Sequence, residues 1–442
     1  MVRVLAAVVA WGAGLAAPAV ADDWPQWRGP NRDGVSAEAG LTAAWPKAGP
    51  PLAWRADTLG SGYSGPAVVG PRLYVMGSDA TTEFLCALAV ETGREAWRTP
   101  LGPLFKNPWG DGPRGTPTVS GGRVYALGAQ GVLACVEAAT GRLVWKTDLR
   151  ADHGGRLMRG NFLDLDWGYA ESPLVDGGRV VVSPGGPGGT VAAFDAPTGE
   201  LVWRSKTVTD AASYASAVVA TVGGVRQYVQ LTGGVELAVG AFMKAPPRAA
   251  GLDPATGALL WGHAIRYTTA GVINTPVVLG DRVHTSCGYG AGCTILRVAR
   301  WGTRFVAIDE TSGDARRAMK TYHGGVVPAG DRVYGYSETG GWVCQSFPKG
   351  DEIWADQKTI QGGAHVRVGT GFYFVTTTGR VAAADPGDSG WLPRGDFPLP
   401  GVAPLRKANA KIQVCTHPVV ANGRLYVRDM GTLYCYDLRP AK

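Results

Sequence analysis

Four segments of this chain close on one phrase. ETGREAW (residues 91–97), ATGRLVW (139–145), PTGELVW (197–203) and ATGALLW (255–261) each set a Gly four residues ahead of a Trp. KGDEIW (349–354) keeps the spacing with Lys in place of Thr. A phrase that returns every 50 or so residues marks a structural unit used repeatedly, not a single site. The whole unit is clearest in GTPTVSGGRVYALGAQGVLACVEAATGRLVWKTDL (115–149). Short runs of alternating apolar residues are separated by Gly-rich turns, which predicts four antiparallel strands per unit. Four strands repeated with this period predict an all-β propeller.

First strands begin near Pro66, Pro117, Pro173, Ala217, Pro276, Gly325, His365 and Pro418, which predicts eight blades. The last unit, THPVVANGRLYVRDMGTLYCYDL, has only three strands. Its fourth is expected from the N-terminal side, in PPLAWRAD (50–57), so residues 45–58 complete the last blade with 415–442. A ring closed by strands from both chain ends leaves no open sheet edge. Residues 22–442 then form a single domain, expected as a monomer.

Within the unit a small residue lies six positions before the Gly, as in Ala87, Cys135, Ala193 and Cys344. The Gly supplies a positive φ for the turn between third and fourth strands. The Trp falls on the outer strand, where its ring fills the wedge between blades and its N–H finds a polar partner. Trp54, Trp97, Trp145, Trp203, Trp261 and Trp354 are therefore assigned as structural. The segment AIDETSGDARR breaks the pattern, with Arg317 at the Trp position.

Composition excludes several classes. With 45% hydrophobic residues and 15 Trp the chain is not disordered, although 65 Gly and 30 Pro are far above usual. The net charge of +7 comes from scattered Lys and Arg, with no clustered patch of the kind nucleic-acid binding needs. The opening MVRVLAAVVAWGAGLAAPAVADDW has an early Arg, an apolar stretch and Ala19-Val20-Ala21. That pattern predicts a cleaved secretory signal over residues 1–21, and no later run is long enough to span a bilayer. The protein is expected in the periplasm or outside the cell.

The unit ending A-x-D-x-x-T-G-x-x-x-W, clearest in AAFDAPTGELVW (192–203), resembles the pyrroloquinoline-quinone (PQQ) type propeller repeat. That family includes quinoprotein alcohol dehydrogenases and the outer-membrane assembly propeller lipoprotein. The opening DWPQWRGPNRDGVS and the phrases WGYAESPLVDG, GVRQYVQLTG, CGYGAGC and HGGVV resemble a secreted planctomycete-type subgroup. In that subgroup the opening implies a plug or strap against the ring, here with Trp24, Trp27 and Arg28 as contacts. For an enzyme the resemblance implies a quinone held flat near the axis, often under a disulfide of adjacent cysteines, with Ca²⁺ and a basic Asp. No two Cys are adjacent here and no C-x-x-C-H is present, so neither PQQ nor Ca is expected. The reading is an exported, non-catalytic scaffold binding an envelope protein or a small ligand. The alternatives are a PQQ- and Ca-dependent dehydrogenase with an atypical site, and an assembly-factor-like role.

Loops entering the first strands converge at the axis. They offer Tyr63, Arg114, Trp167, Tyr169, Glu171, Tyr214, Asn274, His323, His365 and His417 as candidate ligand-binding residues. Glu171 and Asn274 have calcium-type oxygens, but two ligands do not make a six- to eight-fold shell. The His lack metal-site spacing, so no metal is expected. Catalytic residues are not assigned. Of the seven Cys, Cys287 and Cys293 in SCGYGAGC are close enough in sequence either to bridge or to remain free.

Overall fold

The computed structural model describes residues 22–42, 44–159, 166–236, 243–265, 271–311, 313, 318–321, 323–401 and 403–440. The predicted signal over 1–21 and Arg317 lie outside these. Among the described residues, strands gather into eight sheets of four or five strands and one two-stranded ribbon. The chain is an eight-bladed propeller. In blade 2, Thr118–Ser120, Arg123–Leu127, Val132–Glu137 and Leu143–Asp148 run antiparallel from axis to rim, the sequence-local order that tight Gly turns permit. Blade 8 is Val419–Ala421, Arg424–Asp429 and Thr432–Asp437, completed by Leu52–Ala56 from the other end of the chain. Trp54 pairs with Cys435 across that junction, so the ring closes on side-chain packing as well as on hydrogen bonds.

The recurrent Trp sits on the fourth strand opposite a small residue of the third: Trp97 opposite Ala87, Trp145 opposite Cys135, Trp203 opposite Ala193 and Trp354 opposite Cys344. Each indole donates its N–H into the next blade. Trp54 donates to the Val90 carbonyl (2.7 Å), Trp97 to Ala138 (3.1 Å), Trp145 to Ala196 (2.9 Å), Trp203 to Pro254 (3.2 Å) and Trp354 to Gly387 (3.0 Å). Trp261 donates instead to Oε1 of Gln227 in its own blade, because blade 5 departs from the pattern.

Blade 5 corrects the reading of AIDETSGDARR. Its third strand is Gly292–Trp301 and its fourth is Arg304–Asp309, so Ala-Ile-Asp lies on the outer strand and Ala307 faces Val298. The hairpin tip carries Trp301, 69% exposed. The same blade corrects the bridging option for Cys287 and Cys293. Cys293 pairs with Ser286, and alternation along the strand sends the Cys287 side chain through the opposite face. Neither is in a disulfide, and both are buried.

Residues 23–36 run across the mouth of the axial channel. Trp24 exchanges backbone hydrogen bonds with Val68 of blade 1, and the Pro25 carbonyl accepts from Val119 of blade 2. Arg32 donates to the Ser172 (2.8 Å) and Pro173 (3.1 Å) carbonyls of blade 3. Trp27 donates to Thr275 Oγ1 of blade 5 (2.8 Å), and Arg28 donates to the Val326 carbonyl of blade 6. Val35–Ser36 adds a parallel strand to blade 7, and Ser36 Oγ donates to Val420 of blade 8. One short segment thus ties seven blades together at the axis and plugs the channel.

Candidate functional site

Because blades run up and down, the loops into first strands and the turns between second and third strands share one face. The Thr-Gly turns and the strap lie toward the other. On the loop face the axial channel opens as a pit of about 640 Å³, and Trp27 and Arg28 of the strap form its floor. That volume suits a small organic ligand.

Seven of the ten candidate residues line the pit: Tyr63, Arg114, Trp167, Tyr214, Asn274, His323 and His417. Their partners hold them in place. Tyr63 donates its O–H to the Trp109 carbonyl, and Tyr214 donates to Met158 (2.8 Å). Asn274 Nδ2 donates to the Ser286 carbonyl (2.9 Å) and to that of Thr321. The Arg114 guanidinium donates to the Gly110 carbonyl (2.9 Å) and lies over the Phe105 ring at 4.7 Å. His417 Nε2 meets the His323 carbonyl at 3.0 Å, and its ring stands edge-on to Trp27 at 4.6 Å. Burial pushes His323 down to about 4 and His417 down to about 3, the latter helped by the Arg28 charge, so both imidazoles are neutral at pH 7.

The other three point elsewhere. Ala170 faces the pit, so in extended backbone its neighbours Tyr169 and Glu171 face away. Tyr169 is buried between blades with its O–H on the Pro184 carbonyl (2.9 Å). Glu171 Oε1 accepts from the Ser183 N–H, and burial pushes its carboxyl up to about 7. His365 is the third residue of Gly363–Val368, a strand that begins earlier than its counterparts, and so sits inside the blade. Its Nε2 meets the Tyr334 carbonyl at 3.1 Å and its ring abuts Trp342 at 4.9 Å.

Residues outside the candidate set complete the walls. Asn107 and Trp109 come from the long connection between blades 1 and 2, and Lys411, Gln413 and Cys415 from the one between blades 7 and 8. Tyr289 and Glu338 come from second-to-third-strand turns of blades 5 and 6. The up-and-down rule applied to those turns would have found Tyr289 and Glu338. Tyr289 stacks on Trp167 at 6.1 Å, Trp167 tilts against Tyr214 at 5.3 Å, and Lys411 Nζ lies 5.7 Å from the Trp109 ring centre. Glu338 is committed to the turn that carries Tyr289, accepting from the Tyr289 N–H (2.9 Å) and the Gly290 N–H (2.5 Å). The pit is aromatic-walled, cationic and deep.

The residues present do not fit a calcium–quinone centre. Glu171 turns out of the pit and Glu338 serves backbone N–H groups, so among the described residues the wall offers no uncommitted carboxylate for a calcium shell. Among the described residues no group of three or more His, Cys, Asp or Glu is placed to hold a metal ion. No helix among them is long and apolar enough to cross a membrane.

The family model described as "Outer membrane protein assembly factor BamB" matches residues 83–356. A quinohemoprotein alcohol dehydrogenase, ADH-IIG, of Pseudomonas putida is 35% identical over 91 residues, which is 20% of this chain but only 11% of that protein's length. Solved structures share the fold. Quinohemoprotein alcohol dehydrogenase from Comamonas testosteroni superposes with a TM-score of 0.62 at 15% identity, covering 95% of this chain and 81% of that one. A europium-containing methanol dehydrogenase gives 0.61 at 13% identity, over 92% and 89%. BamB from Moraxella catarrhalis gives 0.53 at 16% identity, over 82% and 95%.

Proposed function

The chain belongs to the family of the outer membrane protein assembly factor BamB, and on that premise we propose that it is an exported, non-catalytic propeller that captures a small ligand in its axial pit. One observation carries the reading: a cavity of about 640 Å³, walled by Trp and Tyr from separate blades and closed below by the strap. Aromatic faces fixed by their own hydrogen bonds offer apolar contact at little entropic cost. The two lining imidazoles are held neutral by burial, and the lining carboxylate is engaged by backbone N–H groups. Residues 1–21 act in this reading as the export signal, and the cell envelope is the working place.

The rival reading, a quinone- and calcium-dependent dehydrogenase, draws on the dehydrogenase relatives and on the planar aromatic walls. Titrating residues 22–442 with PQQ, with and without Ca²⁺, tests the two through tryptophan fluorescence. Quenching that is absent, or indifferent to Ca²⁺, supports the scaffold. Saturation at micromolar quinone only with Ca²⁺ would overturn it.

A further inference from the structure

The hairpin that breaks the repeat in blade 5 also reaches outside the ring. In five other blades the third strand ends opposite the first residue of the second. Ala89 lies opposite Arg72, Glu137 opposite Arg123, Asp195 opposite Arg179, Ser346 opposite Arg332 and Asp437 opposite Arg424. In blade 5 that level is the Arg282–Arg297 pair, yet the strand runs on to Trp301 and returns from Arg304. Residues 298–301, at about 3.3 Å each, carry the tip about 13 Å past the blade's own first hairpin. Turns between third and fourth strands lie on the strap side, so the arm points away from the mouth of the pit.

One face of the arm is packed. Val298 is buried, and Arg300 and Phe305 close over Gly223 of blade 4, where a methyl group would stand 2.9 Å from Arg300 Cβ and 3.2 Å from Phe305 Cε1. Arg300 also donates to the carbonyls of Gly302 (2.8 Å) and Gly223 (3.3 Å), which holds the tip in place. The other face is uncovered. Trp301 pairs with Arg304 and lies two residues from Ala299, which pairs with Val306, so these side chains share one side. Trp301 is the most exposed large apolar side chain among the described residues, and Val306 is 37% exposed. No Asp or Glu occurs between Ile295 and Ile308, so the charges of Arg300 and Arg304 are unbalanced at the tip. The carboxylates at the base are engaged, Glu310 by Arg297 and Arg282, and Asp281 by Arg282.

We infer that this arm docks the propeller on a bilayer surface rich in anionic lipid. So small a tip cannot supply the roughly 800 Å² per partner of a stable protein interface. A bilayer asks for less: Trp favours the headgroup level, and each Arg gains from anionic headgroups. One Trp and two Arg give reversible attachment, as a single lipid chain does. Docked in this way, the strap face meets the membrane and the pit opens away from it, whatever the pit binds.

The test is cosedimentation of residues 22–442 with vesicles of equimolar phosphatidylglycerol and phosphatidylcholine, and with vesicles of phosphatidylcholine alone. Binding should be about tenfold or more stronger to the anionic vesicles and should weaken as salt is added. Trp301→Ala should lower it about tenfold and Arg304→Gln about fivefold. Both side chains are exposed, so circular dichroism should show the fold unchanged. Leu392→Ala is the control, since Leu392 is 60% exposed on the outer strand of blade 7, and it should bind as the parent does. Equal binding to both vesicles would overturn the anionic preference. Binding that survives Trp301→Ala, or that Leu392→Ala lowers as much, would overturn the assignment to the arm. No binding to either vesicle would overturn membrane docking and leave the tip to a protein partner.

Discussion

Gly199 lies directly beneath the indole of Trp145: a methyl group on Gly199 would stand 2.6 Å from Cδ2 of that ring. The contact joins blade 3 to blade 2 and repeats around the ring, with Gly93 under Trp54, Gly141 under Trp97 and Gly257 under Trp203. The Thr-Gly turn and the Trp are thus two halves of one joint between neighbouring blades. The Gly is needed twice, for a φ of +79° and for the space taken by the preceding blade's ring.

Gly199→Ala should accordingly cost more than a left-handed φ alone. The backbone penalty is about 1 kcal/mol and the clash adds about 1–3 kcal/mol. Gly154, at φ +60° with nothing within 4 Å, is the control, and Gly154→Ala should show the backbone penalty only. Urea unfolding of both variants measures the difference. Equal losses would refute the joint.

Glu171→Gln should alter the pH dependence of stability. Burial pushes this carboxyl up to about 7, opposed by the nearby Arg32 charge. An acid whose folded pKa exceeds its unfolded value stabilises the fold at low pH and loses that contribution as pH rises through the folded pKa. The parent should lose up to about 3 kcal/mol between pH 4.5 and 7 from this group. The variant, whose amide can still accept from Ser183, should lack that fall and be the more stable protein at pH 8. Parallel melting curves for the two proteins from pH 4 to 8 would refute the assignment.

Cys415 should be the one thiol modified in the native state. Six of the seven cysteines are buried, whereas Cys415 is partly exposed in the pit wall. Burial still pushes its thiol up to about 12, so alkylation should be slow at pH 7 and accelerate about tenfold per pH unit up to pH 10. Iodoacetamide labelling followed by peptide mass analysis reads this directly. Labelling at Cys86 or Cys435 at a comparable rate would contradict the packing.

Removing residues 22–38 should leave a folded propeller with a weakened axis. The closing strand Leu52–Ala56 is retained, so the ring still has its eighth outer strand. Lost are buried Trp24, Arg28, Arg32 and Ser36 and their bonds to the blades. A loss above about 3 kcal/mol is expected from the apolar burial and those hydrogen bonds. Far-ultraviolet circular dichroism should be retained while the urea midpoint falls. An unchanged urea midpoint would show that the strap does not hold the axis together.

The fold was legible because propeller blades are local. Each is a run of consecutive antiparallel strands, so apolar alternation and Gly turns encode it within about 50 residues. The Trp positions and the closing strand at Trp54 followed from the same spacing. Blade 5 was misread because its third strand is Gly292–Trp301, which pushes AID onto the outer strand, and local sequence does not reveal such a shift. For the pit, alternation about Ala170 could have shown that Tyr169 and Glu171 turn away, had the direction of one neighbour been known.

What the sequence determined by itself is the repeat, because hydrophobic period and turn chemistry act between neighbours in the chain. What only the tertiary structure decided is the pit. Arg28 meets Gly325 and Trp167 meets Tyr289 across separations set by ring closure, and no local pattern records which side chains of different blades face one axis. Nor does local sequence record which donors burial leaves idle, since that depends on every group packed around them. The unpartnered, buried Nη1 of Arg28 is one such donor.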